Sequence, residues 1–170
     1  LDSVLTPGFF ERIPPAIDLK KELKRSINDA EYIEDILNIT RRWAHDRRFQ
    51  VGVQRLRKLT SSSEAAIDYS SIAETALECM FTPIADEFIA KHGNIVGGEM
   101  AFIAVGKLGS REMTANSDLD LIITYRARKD ETESNGDRPL STNQYFARLS
   151  QRQINALTAL TPEGGLFEVD

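Results

Sequence analysis

The chain has 170 residues, 41% of them apolar, enough to bury a substantial core as one domain or as a compact pair of subdomains. With 26 acidic against 21 basic residues the net charge is -5, so the chain as a whole does not match a nucleic-acid backbone and no nucleic-acid partner is expected. One cysteine excludes an internal disulfide, and no apolar run approaches the roughly 20 residues of a membrane span; neither a membrane partner nor a secretory signal is read, and a cytoplasmic setting is expected.

The opening stretch "LTPGFFERIPPAIDLKKELKRSI" is held irregular by Pro7, Gly8, Pro14 and Pro15 until Asp18 or a neighbour can start a helix. From Asp29 onward Ile33, Ile36, Leu37, Trp43, Ala44 and Val51 fall within one helical stripe, which predicts an amphipathic helix of several turns. Ser71 with Glu74 reads as a capping box, opening a helix with Leu77, Phe81, Ile84 and Phe88 on a shared face. Pro83 should kink that helix, and Lys91-His92-Gly93 has the composition of its end. Cys79, within "ALECMF", reads as a core thiol.

The second half has a different texture. "MAFIAVG", Met100 to Gly106, is apolar throughout, as a strand covered on both faces would be, and "LDLIITY", Leu119 to Tyr125, reads as a second strand. The densely charged segment from 126 to 140, with its Asn-Gly turn signal, predicts an exposed, mobile loop. Ser141 can cap a helix with Phe146, Leu149, Ile154, Leu157 and Leu160 on one face, after which "TPEGG" turns the chain into a last strand, "LFEVD". The predicted class is therefore α+β: a helical lead-in over residues 1–95, then a mixed sheet with helices over 96–170. Starting at Leu1 and stopping on Asp170 after an apolar run, the chain reads as a piece of something longer.

Chemistry concentrates between the two strands. Asp118 and Asp120 lie two apart on an extended segment, so their carboxylates leave one face about 7 Å apart while Leu119 points into the core. Two like charges so placed each favour protonation unless a cation lies between them, and a bound Mg²⁺ resolves the conflict. Just upstream, Gly109 lets backbone approach a ligand, and Ser110 with the following amides can donate to phosphate oxygens. Asp-x-Asp alone is common and often only a solvated strand edge. The combination is more informative: apolar strand, Gly-Ser, seven residues, Asp-Leu-Asp, apolar strand, and a further carboxylate, Asp170, ending another predicted strand. It suggests metal-dependent phosphoryl or nucleotidyl transfer.

Gly109-Ser110 followed by Asp118-Leu119-Asp120 is similar to the Gly-Ser and Asp-x-Asp signature of the polymerase-beta-like nucleotidyltransferase superfamily. More narrowly, "GKLGSREMTANSDLDLI" with "YFARLSQRQINALTALTPEGGLFEVD" resembles the bifunctional glutamine synthetase adenylyltransferase and adenylyl-removing family, over residues 97–170 closely and over the helical half loosely. The ending "FEVD", with Glu168, and the "LDSVL" lead-in look like the C-terminal, adenylylating copy of its two catalytic domains. The resemblance implies that Asp118, Asp120 and Asp170 are catalytic carboxylates binding two Mg²⁺, and that Gly109 and Ser110 hold the nucleotide phosphates. The implied reaction moves AMP from the substrate ATP to a tyrosine hydroxyl of glutamine synthetase, controlling nitrogen assimilation. The signalling protein PII and glutamine are the implied effectors of the full-length enzyme. Because the arginine- and proline-rich segment that follows this aspartate in the family is not present, the piece by itself is expected to bind nucleotide poorly.

Three alternatives stay open at this point: the phosphorolytic, AMP-removing copy, a non-catalytic helical regulatory module, and a structural cation site. Lys107 can reach a phosphate or stand solvated at a strand end. Arg111 and Glu112 can pair locally or touch ligand, and Ser117 can orient the aspartates or cap the turn. Seven basic residues between 41 and 58 (Arg41, Arg42, Arg47, Arg48, Arg55, Arg57, Lys58), against the one acid Asp46, read as a solvated helix face or a dock for an acidic protein. His45 and His92 have no partner at metal-ligand spacing.

Overall fold

The computed structural model describes residues 7–159, 161 and 164–169; the predicted site residue Asp170, the core candidate Leu160 and the "LDSVL" lead-in lie outside them. A 3-10 turn at Pro7–Phe10 leads into helix α1 (Ala16–Ile27), then α2 (Ile33–Leu56) and α3 (Ser62–His92). Strand β1 (Glu99–Ala104), the single turn α4 (Gly106–Gly109), strand β2 (Leu121–Arg126) and helix α5 (Thr142–Thr158) complete the order. The α+β composition expected from the sequence is present. Among the described residues no helix is long and apolar enough to cross a membrane.

The three long helices form where apolar residues recur at helical spacing. Leu19 and Leu23, one turn apart on α1, are fully buried against α2 and α3, each contributing roughly 1.5–3 kcal/mol of transfer free energy. Glu22, on the same helix, accepts from Trp43 Nε1 at 2.8 Å and from Arg47 Nη2 at 2.6 Å, fixing α1 to α2 through a charge-assisted contact. Trp43, Ala44 and Val51 are buried as predicted, with Ile33 and Leu37 packed at the edge. Cys79 is buried, and desolvation pushes its thiol above the ordinary value.

The start of α3 corrects the sequence reading. The capping box is Ser61 with Glu64: Ser61 Oγ accepts from the Glu64 amide at 3.2 Å, and Glu64 Oε2 accepts from the Ser61 amide at 2.9 Å. Ser71 and Glu74 lie inside the helix, which runs through Pro83 without interruption to His92, with Gly93 as its cap. Near the proline, Gln153 of α5 donates to the Phe81 carbonyl at 2.9 Å, tying α5 to α3.

Inside α3, Asp68 is buried with Oδ2 unpartnered among the described residues. Burial, more than the opposing Arg12 charge, raises its carboxyl above the ordinary value. The folded protein therefore binds more protons than the unfolded chain between the ordinary and the raised value, and this group's contribution to stability falls as pH rises across that window. Asp68→Asn is expected to gain about 1 kcal/mol at neutral pH. In urea titrations the gain should shrink as the pH falls from the raised value towards about 4, below which both states of the wild type are protonated and it stays constant.

β1 and β2 pair antiparallel, with Ala104 opposite Leu121 and Glu99 opposite Arg126. One face (Met100, Phe102, Ile123, Leu121) meets the helices: Phe102 lies 4.2 Å, ring to ring, from Phe81, and Tyr125 stacks on Phe146 at 4.3 Å. The other face is open, with Ile103 47% and Ile122 53% exposed, so the expectation of a strand covered on both sides is not met; α3 and α5 cover only one side. The expected last strand is reduced among the described residues to a parallel bridge, Leu119 with Val169.

The charged loop after β2 is also not free. The amides of Asn135, Gly136 and Arg138 donate to the carbonyls of Asn94, His92 and Lys91, and His92 Nδ1 meets the Arg138 carbonyl at 2.7 Å. Ser134 and Leu140 are buried beneath it and bond each other. The main core draws on both halves of the chain, joining α1–α3 residues to Leu108, Met113, Leu119, Leu157, Leu166 and Phe167.

Candidate active site

The described site candidates, Lys107, Gly109, Ser110, Asp118 and Asp120, lie at one end of the hairpin. The Val105 amide donates to the Asp120 carbonyl at 2.9 Å, so the chain leaving β1 and the chain entering β2 are joined just beyond their last pair. Leu119 is fully buried while Asp118 is exposed and Asp120 half-exposed, the alternation an extended segment requires. Neither carboxylate has a hydrogen bond or ion pair among the described residues, although Arg111, Arg48 and Lys107 are all in the neighbouring sequence or structure.

Gly106, which sequence reasoning passed over as the last residue of a strand, is central to the geometry. Its φ is +52°, and a Cβ there would lie 1.9 Å from Asp120 Oδ2. The Asp120 carboxylate thus sits directly on the turn that opens α4, a seat only glycine leaves free. The available signal was the spacing Gly106-x-x-Gly109 immediately after an apolar run. Gly109 packs on the β1 end, where a side chain would meet the Ala104 carbonyl at 2.6 Å. Two unpartnered carboxylates, hard oxygen donors on one side of a short segment, with one of them seated on bare backbone, fit a divalent cation of the Mg²⁺ type.

Lys107 is exposed on α4, with no side-chain partner among the described residues. Ser110 is also exposed, and its hydroxyl donates to Glu112 Oε2 at 2.8 Å. Arg111, in the left-handed region at φ 60°, reaches away from the aspartates to Glu74 of α3 at 2.5 Å. Ser117 Oγ accepts from the Thr114 amide at 2.9 Å, the turn-capping role of its two alternatives.

The basic run on α2 does not form one solvated face. Arg41, 1% exposed, donates to the carbonyls of Ala156 and Ala159 at the end of α5. Arg48 donates to the Leu166 carbonyl at 3.1 Å and the Ala115 carbonyl at 2.5 Å, with its guanidinium 5.0 Å from the Phe167 ring centre. Burial lowers its pKa from the ordinary value. Arg48, Ser117, Asp118 and the segment from Gly165 to Val169 line a cleft of about 850 Å³.

A paired-carboxylate turn at a sheet end, approached by a glycine-rich turn, is the kind of site that metal-dependent transferases use. Comparison with known proteins narrows the class: the family described as glutamate-ammonia ligase adenylyltransferase matches residues 1–170, and the chain belongs to that family. It is 38% identical over 169 residues to the bifunctional glutamine synthetase adenylyltransferase/adenylyl-removing enzyme of Brucella suis, covering 99% of this chain and 17% of the relative. The same enzyme of Bradyrhizobium sp. strain ORS 278 and that of Bradyrhizobium diazoefficiens are each 38% identical over 170 residues. The chain spans about 17% of the length of these relatives.

Proposed function

We propose that this chain is the catalytic core of a metal-dependent nucleotidyltransferase, of polymerase-beta-like fold, that moves AMP from ATP to a tyrosine hydroxyl of glutamine synthetase as the α–β phosphoanhydride breaks and pyrophosphate leaves. The observation that carries the reading is the pair Asp118 and Asp120, unpartnered among the described residues, with Asp120 seated on Gly106, in a chain of this family. In this reading Asp118, Asp120 and, from the sequence, Asp170 hold Mg²⁺. When bound, the metal supplies a Lewis acid that eases deprotonation of the acceptor hydroxyl and offsets the charge of the phosphates.

The chain's own residues then have separable tasks. Lys107 and the backbone around Gly109 meet the triphosphate, and Ser110 redirects to a phosphate oxygen the hydrogen it now gives Glu112. Asp120, fixed by its backbone link to Val105, keeps its carboxylate oriented with little rearrangement. PII is the partner proposed for control of the native enzyme.

Calorimetry of the native, full-length protein with a non-hydrolysable ATP analogue tests this reading. Mg²⁺ should tighten nucleotide binding, and Asp118→Asn should remove the tightening. Nucleotide binding indifferent to both metal and substitution would contradict it. Release of ADP from adenylylated synthetase in the presence of phosphate, with no forward transfer, would assign the chain to the removing reaction.

A further inference from the structure

One side chain on α2 touches both backbone segments that lead to the carboxylates. Arg48 Nη2 holds the Ala115 carbonyl at 2.5 Å, just upstream of Asp118, and Arg48 Nη1 holds the Leu166 carbonyl at 3.1 Å, just upstream of Asp170. Between those two segments the described residues show one backbone hydrogen bond, from the Leu119 amide to the Glu168 carbonyl at 2.8 Å. That bond belongs to the parallel bridge between Leu119 and Val169, and Leu119, Leu166 and Phe167 share the main core. The rigid guanidinium fork, stacked over Phe167, adds two side-chain attachments, one to each segment.

The surroundings favour alignment over charge pairing. No carboxylate is paired with Arg48 among the described residues, and its donors go to carbonyls that would otherwise lack them at the edge of the cleft beside Asp118. His45, one turn earlier on α2, adds a contact from Nε2 to the Gly165 carbonyl at 3.1 Å, so the Gly165–Leu166 backbone is gripped from one helix face. Helix α2, remote in sequence from every predicted site residue, therefore sets the spacing of the segments that carry them.

We propose that Arg48 is a positioning residue that holds the Asp118-Asp120 segment in register with the 165–169 segment, so that Asp118 and Asp120 keep the placement their metal site requires. The inference rests on the nucleotidyltransferase reading above and adds a residue outside its motifs. Loss of a group that orients metal ligands typically weakens metal affinity by about 10–100-fold.

The test uses the native, full-length protein as wild type, Arg48→Met, Arg48→Lys and Asp118→Asn. Free Mn²⁺ is followed by electron paramagnetic resonance, and the Mg²⁺ dependence of the transfer rate is followed in parallel. Arg48→Met should weaken the Asp118-dependent Mn²⁺ site by about 10–100-fold, Arg48→Lys should fall between it and wild type, and high Mg²⁺ should recover much of the lost rate. A merely structural role would lower the melting temperature without moving the Mg²⁺ midpoint. Wild-type Mn²⁺ affinity in both Arg48 variants overturns the inference. If Arg48→Met fails to fold, Arg48→Lys decides alone: weaker Mn²⁺ binding supports the inference and unchanged binding overturns it. If Asp118→Asn leaves Mn²⁺ binding untouched, the nucleotidyltransferase reading fails, and this inference fails with it.

Discussion

Asp120→Asn is expected to lower the rate of AMP transfer by about a thousandfold or more, equivalent to roughly 4 kcal/mol of transition-state stabilisation. The side chain is half-exposed, packs on the Gly106 turn and has no hydrogen bond or ion pair among the described residues. Its replacement by an isosteric amide therefore removes charge without opening a cavity. Without metal, the variant should be as stable as wild type or slightly more so, because one of two like charges is gone. Thermal unfolding with and without MgATP separates the effects: ligand-induced stabilisation disappears while the metal-free transition stays put. A residue whose role was only structural would give the opposite pattern.

Gly136→Ala is expected to cost about 3 kcal/mol of stability, lowering the melting temperature by roughly 6–12 °C for a chain of this size. A Cβ at Gly136 would lie 2.2 Å from the Gly93 amide nitrogen and the His92 carbonyl carbon, both backbone atoms that cannot rotate aside. Relief requires the loop after β2 to leave the end of α3, which breaks the amide contacts to His92 and Lys91 and uncovers Ser134 and Leu140. Amide exchange should accordingly accelerate across 134–140 and at the α3 terminus, while α1 and α2 stay protected.

The elements that were legible in the sequence are those whose apolar period is long and clean. Most of the predicted stripes on α2, α3 and α5 are buried or packed at the core edge, and Lys91-His92-Gly93 ends α3. The capping box was misplaced because "TSSSEAAIDYSSIAE" contains two Ser-x-x-Glu registers, Ser61 with Glu64 and Ser71 with Glu74, and only the apolar periodicity beginning at Ala65 separates them. Strand coverage was not legible: an apolar run reports what a strand can bury, and the open Ile103–Ile122 face depends on what lies against it. The docked loop escaped notice for a different reason. Its anchors are backbone amides and a Gly–Gly approach, which leave no hydrophobic pattern.

In the candidate site, the residues proposed to carry the chemistry stood out in the sequence while their supports did not. Asp118, Asp120, Gly109 and Ser110 form a local motif, so spacing alone brings them forward. Arg41 and Arg48 read as part of a basic run because charge is local in sequence, whereas the carbonyls they serve belong to residues more than sixty positions away. An arginine set among the buried positions of an amphipathic helix is the signal that could have raised either one.

Transfer of label from α-labelled ATP to purified glutamine synthetase by the native, full-length protein, compared with its Asp118→Asn variant, tests the central claim most directly. The account predicts Mg²⁺-dependent label on a synthetase tyrosine with the wild type and essentially none with the variant. Label transferred equally by both would show that these carboxylates are not the catalytic pair and would contradict the account.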